Sequence, residues 1–170
     1  LEDAENLNLR LRISSAARET NEEMAKHAVN LTKDALRSCG KTMRRSRISL
    51  LGISQTPNMR SPPKRLAKEV AAILEVRGAR VGFYDPYFLG DETTEVQGHS
   101  YNSLTEAVEG KDCILILAGH DQLKHLNLKK LKVIMKMPAA IVDLVGVVEP
   151  DKVEKEGFIY RGFGRGVWTK

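Results

Sequence analysis

The chain has 170 residues, of which 42% are hydrophobic and 29% charged, with a formal net charge of +5. This suits one ordinary globular domain plus an additional element and excludes a disordered polymer. The apolar stretches are strand-sized, as in Cys113–Ala118, far short of the ~20 residues of a membrane helix, so no membrane partner is expected.

The chain divides near Arg44–Arg47, giving a helical region over 1–43 and a second unit over 44–170. In the first, Met24, Ala28, Leu31 and Ala35 repeat at helical spacing beside a second row of Ala25, Val29, Thr32 and Leu36. Ser14 or Ser15 is the expected cap and Gly40 the stop. The wide apolar stripe has three possible covers: the following domain, an absent domain, or a second copy of the chain. The charged, polar opening residues show no secretory signal.

After a basic linker, Ile48–Ile53 reads as a buried strand. Pro62 to Arg77 reads as a helix with Leu66, Val70, Ile73 and Leu74 on one face, Ser61 as its N-cap and Gly78 just past its end. Strands follow at Arg80–Tyr84, Cys113–Ala118 and Ala139–Leu144, and a weaker one at Gly157–Tyr160. Helices are predicted at Leu104–Glu109, capped by Ser103, and at Leu126–Lys132. Continuously apolar strands alternating with helices imply a parallel sheet covered on both faces, a Rossmann-like α/β fold preceded by a long helix.

In such sheets ligands bind at the carboxyl ends of the strands. Those ends are Gly52 to Ser61, Asp85-Pro86, Gly119-His120 and Asp143. The first loop leads to a helix start, where free N–H groups attract anions, and Arg60, Lys64 and Arg65 cluster there. The arrangement is either a diphosphate site or a solvated basic loop. Asp85 is placed to accept from a ribose, or simply to start a turn with Pro86. His120 either lines the cleft or is structural, and Asp143 caps the cleft or bonds loop amides. The Gly162-Phe163-Gly164-Arg165-Gly166 run allows close approach of a flat ligand, with Arg165 reaching a phosphate or base, or is a glycine-rich tail. No G-x-G-x-x-G is present. The four histidines show no metal-like spacing. Cys39 and Cys113 suggest neither a disulfide framework nor an activated nucleophile, which makes a cytoplasmic location the default. No catalytic or metal-binding residue is assigned.

Taken in order, Ile48-Ser49-Leu50-Leu51-Gly52, Arg60-Ser61-Pro62, Tyr84-Asp85-Pro86, Gly119-His120, Val142-Asp143 and Tyr160-Arg161-Gly162-Phe163-Gly164-Arg165 resemble the C-terminal domain of UDP-glucose and UDP-N-acetylmannosamine dehydrogenases. Ala17 to Met24 looks like the start of that family's central helix. The resemblance implies the end of a central dimerising helix followed by a UDP-binding domain. The whole enzyme would oxidise a sugar C6 alcohol to a carboxylate with NAD, through a thiohemiacetal on a cysteine. NAD and that cysteine would belong to parts absent from this chain, leaving it inactive alone. The implied partners are a UDP-sugar, held by Gly52, Arg60, Ser61, Asp85, Pro86, His120 and Arg165, and a second copy joined through the N-terminal helix. This sequence departs from the family in two loops. The loop after the first strand is usually longer and carries a lysine, but here it holds Ser54-Gln55-Thr56. An arginine usually follows the position of Asp143, but here Leu144-Val145-Gly146 stands.

A second reading is a stand-alone nucleotide-binding or regulatory module. A third is nucleic-acid binding through Lys41, Arg44, Arg45 and Arg47 with Lys129, Lys130, Lys132 and Lys136. It lacks a recognition motif and interleaved aromatics, so no nucleic-acid partner is expected.

Overall fold

The computed structural model describes residues 12–88 and 95–164, with side chains from Glu23 onward. Helix α1 (Arg12–Ser38) leads into β1 (Arg47–Leu51), α2 (Arg65–Val76), β2 (Arg80–Tyr84), β3 (His99–Ser100), α3 (Leu104–Val108), β4 (Cys113–Ile116), α4 (Asp121–Lys124), α5 (Leu128–Ile134), β5 (Ala140–Asp143), α6 (Pro150–Lys155) and β6 (Ile159–Gly162). Among the described residues the strands form a six-stranded sheet in the order β3-β2-β1-β4-β5-β6, with every neighbouring pair parallel. This is the Rossmann-like α/β architecture the strand pattern implied.

Both faces of the sheet are covered, and the strands supply them alternately. In β4, Cys113 and Leu115 join a core with α1 and α2, while Ile114 and Ile116 join a second core with α3, α5 and α6. All four side chains are 0% exposed. That explains why β4 is apolar at every position.

The long helix extends through Ser14 and Ser15 rather than being capped by them, since its described part already begins at Arg12. Its stripe is covered by the chain itself. Ala28, Val29, Thr32, Ala35 and Leu36 are all 0% exposed, against α2 and strands β4, β5 and β6. Burying Val29 and Leu36 contributes roughly 1.5–3 kcal/mol each. Of the three possible covers the following domain is therefore the one found for this stripe, and the face α1 leaves outside is polar, with Glu23, Lys26, Asn30, Lys33 and Asp34 exposed.

Helix α2 starts later than the periodicity suggested, at Arg65, and its N-cap position is Lys64 with no capping side chain. Residues before each proline avoid helical backbone, and Pro62 and Pro63 stand in succession. They form an extended segment in which Pro63 bridges Ser54, the Gln55 amide donates to the Pro62 carbonyl and the Lys64 amide donates to the Ile53 carbonyl. Ser61 is thereby kept from the helix end. Gly78, with φ +82°, does follow the helix as expected, and Ser103 does cap α3, accepting from the Glu106 amide. Strand β3 has two residues, too few for a periodic signal, and the short α6 was likewise not anticipated. No helix among the described residues is long and apolar enough to cross a membrane.

Candidate functional site

The strand order reverses between β1 and β4, so the loops that leave these strands diverge and open a crevice at their carboxyl ends. Gly52 forms one wall. Its amide donates to the Tyr84 carbonyl at 2.8 Å, and its φ is +77°. A Cβ there would lie 2.8 Å from the Ala118 Cβ and 3.0 Å from His120 Cδ2. Only glycine lets the two loops approach this closely.

Behind that wall sits a buried network. Asp85 and His120 are 1% and 0% exposed. Asp85 Oδ2 accepts from the Ser54 amide at 2.8 Å and lies 3.2 Å from His120 Nε2. On the other side of the imidazole, Nδ1 accepts from the Asn58 amide at 3.0 Å. A backbone N–H can only donate, so Nδ1 must present its lone pair, and Nε2 carries the hydrogen that Asp85 accepts. The Asn58 side chain completes the clasp: its Oδ1 accepts from the Asp121 amide and its Nδ2 donates to Asp121 Oδ2, both at 2.9 Å. Asn58 has φ +59°, a conformation asparagine tolerates better than most residues. The loop after β1 is thus fastened at Ser54 to the loop after β2, through Asp85, and at Asn58 to the loop after β4.

Asp85 also makes the turn that Asp85-Pro86 announced. Its Oδ1 accepts from the Tyr87 amide at 2.9 Å and its carbonyl from the Phe88 amide at 3.1 Å. The carboxylate is committed to the protein on both oxygens. Pro86 is half-buried beside it. Tyr87, 37% exposed, tilts against the His120 ring with centroids 5.3 Å apart.

The three cations expected at the start of α2 take different places. Arg60 is exposed on the loop. Ser61, half-buried, accepts from the Thr56 amide at 2.9 Å. Arg65 bonds Glu69 one helical turn on, at 2.5 Å. Lys64 turns inward, and its ammonium donates to the Leu117 carbonyl at the end of β4 at 2.9 Å. Burial lowers the Lys64 pKa from its ordinary value, partly opposed by the negative charge of Asp85.

Asp143 bonds loop amides, accepting from Val145, Gly146 and Val148 at 2.8–3.0 Å. The glycine-rich C-terminal run is tied to α1 through Phe163, which stacks on His27 at 5.4 Å. Arg165 lies outside the described residues. Burial raises the pKa of both Cys39 and Cys113, so neither thiol is an activated nucleophile. No group of residues suited to a metal ion occurs among the described residues.

Asn58, Ser54 and Tyr87 were not among the expected site residues. The available sign was the Pro57-Asn58 pair, a turn dipeptide whose asparagine suits a positive φ. Its partner across 62 residues of sequence was invisible until the sheet brought β1 and β4 together. The described residues do not fit NAD. A dinucleotide needs a glycine-rich turn running straight from β1 into the next helix, whereas here residues 53–55 pair with residues 62–64.

Residues 50–150 match the model of the UDP-glucose/GDP-mannose dehydrogenase family, UDP binding domain. Similar curated proteins include a UDP-glucose 6-dehydrogenase from Bacillus subtilis, 29% identical over 91% of this chain and 33% of its own length. A UDP-N-acetyl-D-mannosamine dehydrogenase from Methanococcus maripaludis is 28% identical over 90% of this chain and 34% of its own. Among solved structures, an NDP-N-acetyl-D-galactosaminuronic acid dehydrogenase from Methanosarcina mazei superposes with a TM-score of 0.81 at 30% identity, covering 89% of this chain and 31% of that one. The chain spans about a third of the length of these relatives.

Proposed function

Since the chain belongs to the UDP-glucose/GDP-mannose dehydrogenase family, we propose that it is the UDP-recognising portion of an NAD-dependent UDP-sugar 6-dehydrogenase of the UDP-glucose or UDP-N-acetylmannosamine type. The whole enzyme would oxidise the sugar C6 alcohol to a carboxylate in the cytoplasm, in the service of polysaccharide synthesis. The observation that carries this reading is the crevice between β1 and β4, walled at Gly52 with the buried His120 behind it, within the segment that matches the family's UDP-binding domain.

The division of labour follows from exposure. Gly52, itself buried, lets the loops after β1 and β4 close up behind the ligand, and Arg60 and Ser61 on the loop after β1, with Arg165, supply contacts to the diphosphate. Asp85, Pro86 and His120 shape the crevice by holding that loop, because the Asp85 and His120 side chains are 1% and 0% exposed. NAD and the catalytic cysteine belong to regions of the enzyme beyond residues 1–170. Residues 1–43 form the helical region and residues 44–170 the UDP-binding unit. A homodimer built through the N-terminal helix would use its polar outer face, since Ala28, Val29 and Leu36 are already covered.

Calorimetric titration with UDP, using AMP and NAD as controls, tests the assignment. Selective binding of UDP is the expected result. Binding of AMP or NAD in preference to UDP rejects it. The second reading, a stand-alone nucleotide-binding module, draws on one observation: α1 completes the core from within the chain. Equal affinity for UDP and AMP would favour it.

A further inference from the structure

At the end of the sheet opposite the crevice, where the strands begin, hydrogen bonds gather several separate segments. The Arg45 amide donates to the Gly78 carbonyl, the Arg80 amide to Ser46, the Asp112 amide to Arg47, the Gly110 amide to Ile134 and the Lys136 amide to Lys111. The Lys41 ammonium ties the linker across this end, bonding the Lys136 carbonyl at 2.5 Å and Asp112 at 2.8 Å. These bonds place Arg44, Arg45 and Arg47 of the linker, Arg77 and Arg80 around the α2–β2 turn, and Lys132 of α5 on one rim. All six side chains are exposed, and none is paired with a carboxylate among the described residues. Asp112, the acid closest to the linker, is engaged by Lys41 and by the Arg47 amide. Exposed carboxylates in the same segments are Glu75 and Glu109, too few to neutralise the strip.

Two helices end at this rim, each with an uncovered valine beside a cation. Val76 is 89% exposed next to Arg77, and Val133 is 84% exposed next to Lys132. Helix α2 packs on one face of the sheet and α5 on the other, so the valines flank the basic strip. Unpaired cations gain from phosphate groups of either a lipid or a nucleic acid. Exposed aliphatic side chains among those cations match the headgroup boundary of a bilayer, which accepts them. A single-stranded nucleic acid is held by exposed aromatic rings, and the aromatic residue beginning the last strand's approach to this end, Phe158, is 2% exposed.

We propose that this rim docks the chain on an anionic lipid surface, with the crevice at the other end of the sheet facing the aqueous side. The proposal stands apart from the UDP reading and revises the sequence-based expectation that no membrane is a partner.

The test is cosedimentation of the purified full chain with vesicles of phosphatidylcholine containing about one-third phosphatidylglycerol, against vesicles of phosphatidylcholine alone. Binding to the anionic vesicles alone, weakened by added salt, is the expected result. Arg44→Glu with Arg47→Glu should lower that binding by about tenfold or more. Val76→Ser with Val133→Ser should lower it by roughly threefold where salt screens the charges. Arg77→Glu with Lys132→Glu provides an independent charge reversal should the linker variant fail to fold, which circular dichroism reports. Equal binding to both vesicles, insensitivity of a folded variant to charge reversal or to valine removal, or tighter binding to a single-stranded polynucleotide would each overturn the proposal.

Discussion

The backbone amide of Asn58 donates to Nδ1 of His120 at 3.0 Å, and this one bond determines which ring nitrogen faces Asp85. The loop after β1 is therefore held by an imidazole in a defined tautomer rather than by its own packing, because residues 55–60 are all exposed.

Asn58→Ala and Asn58→Gly separate the two things Asn58 does. Both lose the pair of bonds to Asp121, but only alanine is strained at φ +59°. The alanine variant should lose about 1–2 kcal/mol in urea unfolding and the glycine variant about half of that. Equal losses would mean that the backbone conformation is not strained by alanine.

His120→Phe keeps a ring of similar size but removes the acceptor for the Asn58 amide and the donor to Asp85. A loss of about 1–3 kcal/mol is expected, together with faster hydrogen exchange at the amides of Ser54 and Asn58. Unchanged exchange at both would show that the loop is held by other means.

Gly52→Ala puts a methyl group 2.8 Å from the Ala118 Cβ at a φ of +77°. Strain and overlap together should cost about 2–4 kcal/mol, and the crevice wall must shift to accept the methyl group. UDP affinity should fall with it. A variant of wild-type stability and affinity would remove Gly52 from the site.

Asp112 links the linker to β4. Burial pushes its carboxyl up, but the Arg47 amide and the bonded Lys41 outweigh this and hold the pKa below the ordinary 3.8. A depressed folded value contributes stability above 3.8 that is lost as pH falls through it. Asp112→Asn should therefore be less stable than the parent at neutral pH, and the gap should close as the pH drops below 3.8. A gap independent of pH would assign the loss to shape rather than charge.

The fold was legible because burial on both faces leaves a simple trace: Cys113 to Leu117 and Ala140 to Val142 are apolar in unbroken runs and buried, and Ile48, Leu50 and Leu51 are buried around Ser49. The crevice was legible through strand ends alone. Its contents were less so. The inward turn of Lys64 to Leu117 depends on Pro62 and Pro63 delaying the helix, a geometric effect that capping rules read as a helix start at Ser61. The clasp depends on Asn58, Asp85 and His120 meeting across three connections, and no local pattern reports such a meeting. The stripe on α1 was read correctly as apolar, but its cover was a matter of tertiary packing.

The hydrogen bonds from Ser54 through Asp85 and His120 to Asn58 join with the intervening chain to close a ring. Such a ring imposes a rule of inheritance. An insertion between Ser54 and Asn58, or loss of the Asp85 carboxylate or the His120 imidazole, opens it, whereas Ser54 and Asn58 enter through backbone amides that most substitutions keep. Lineages that keep this loop length should keep Asp85 and His120 together, and lineages that change the length should release both, so the two positions evolve as one character.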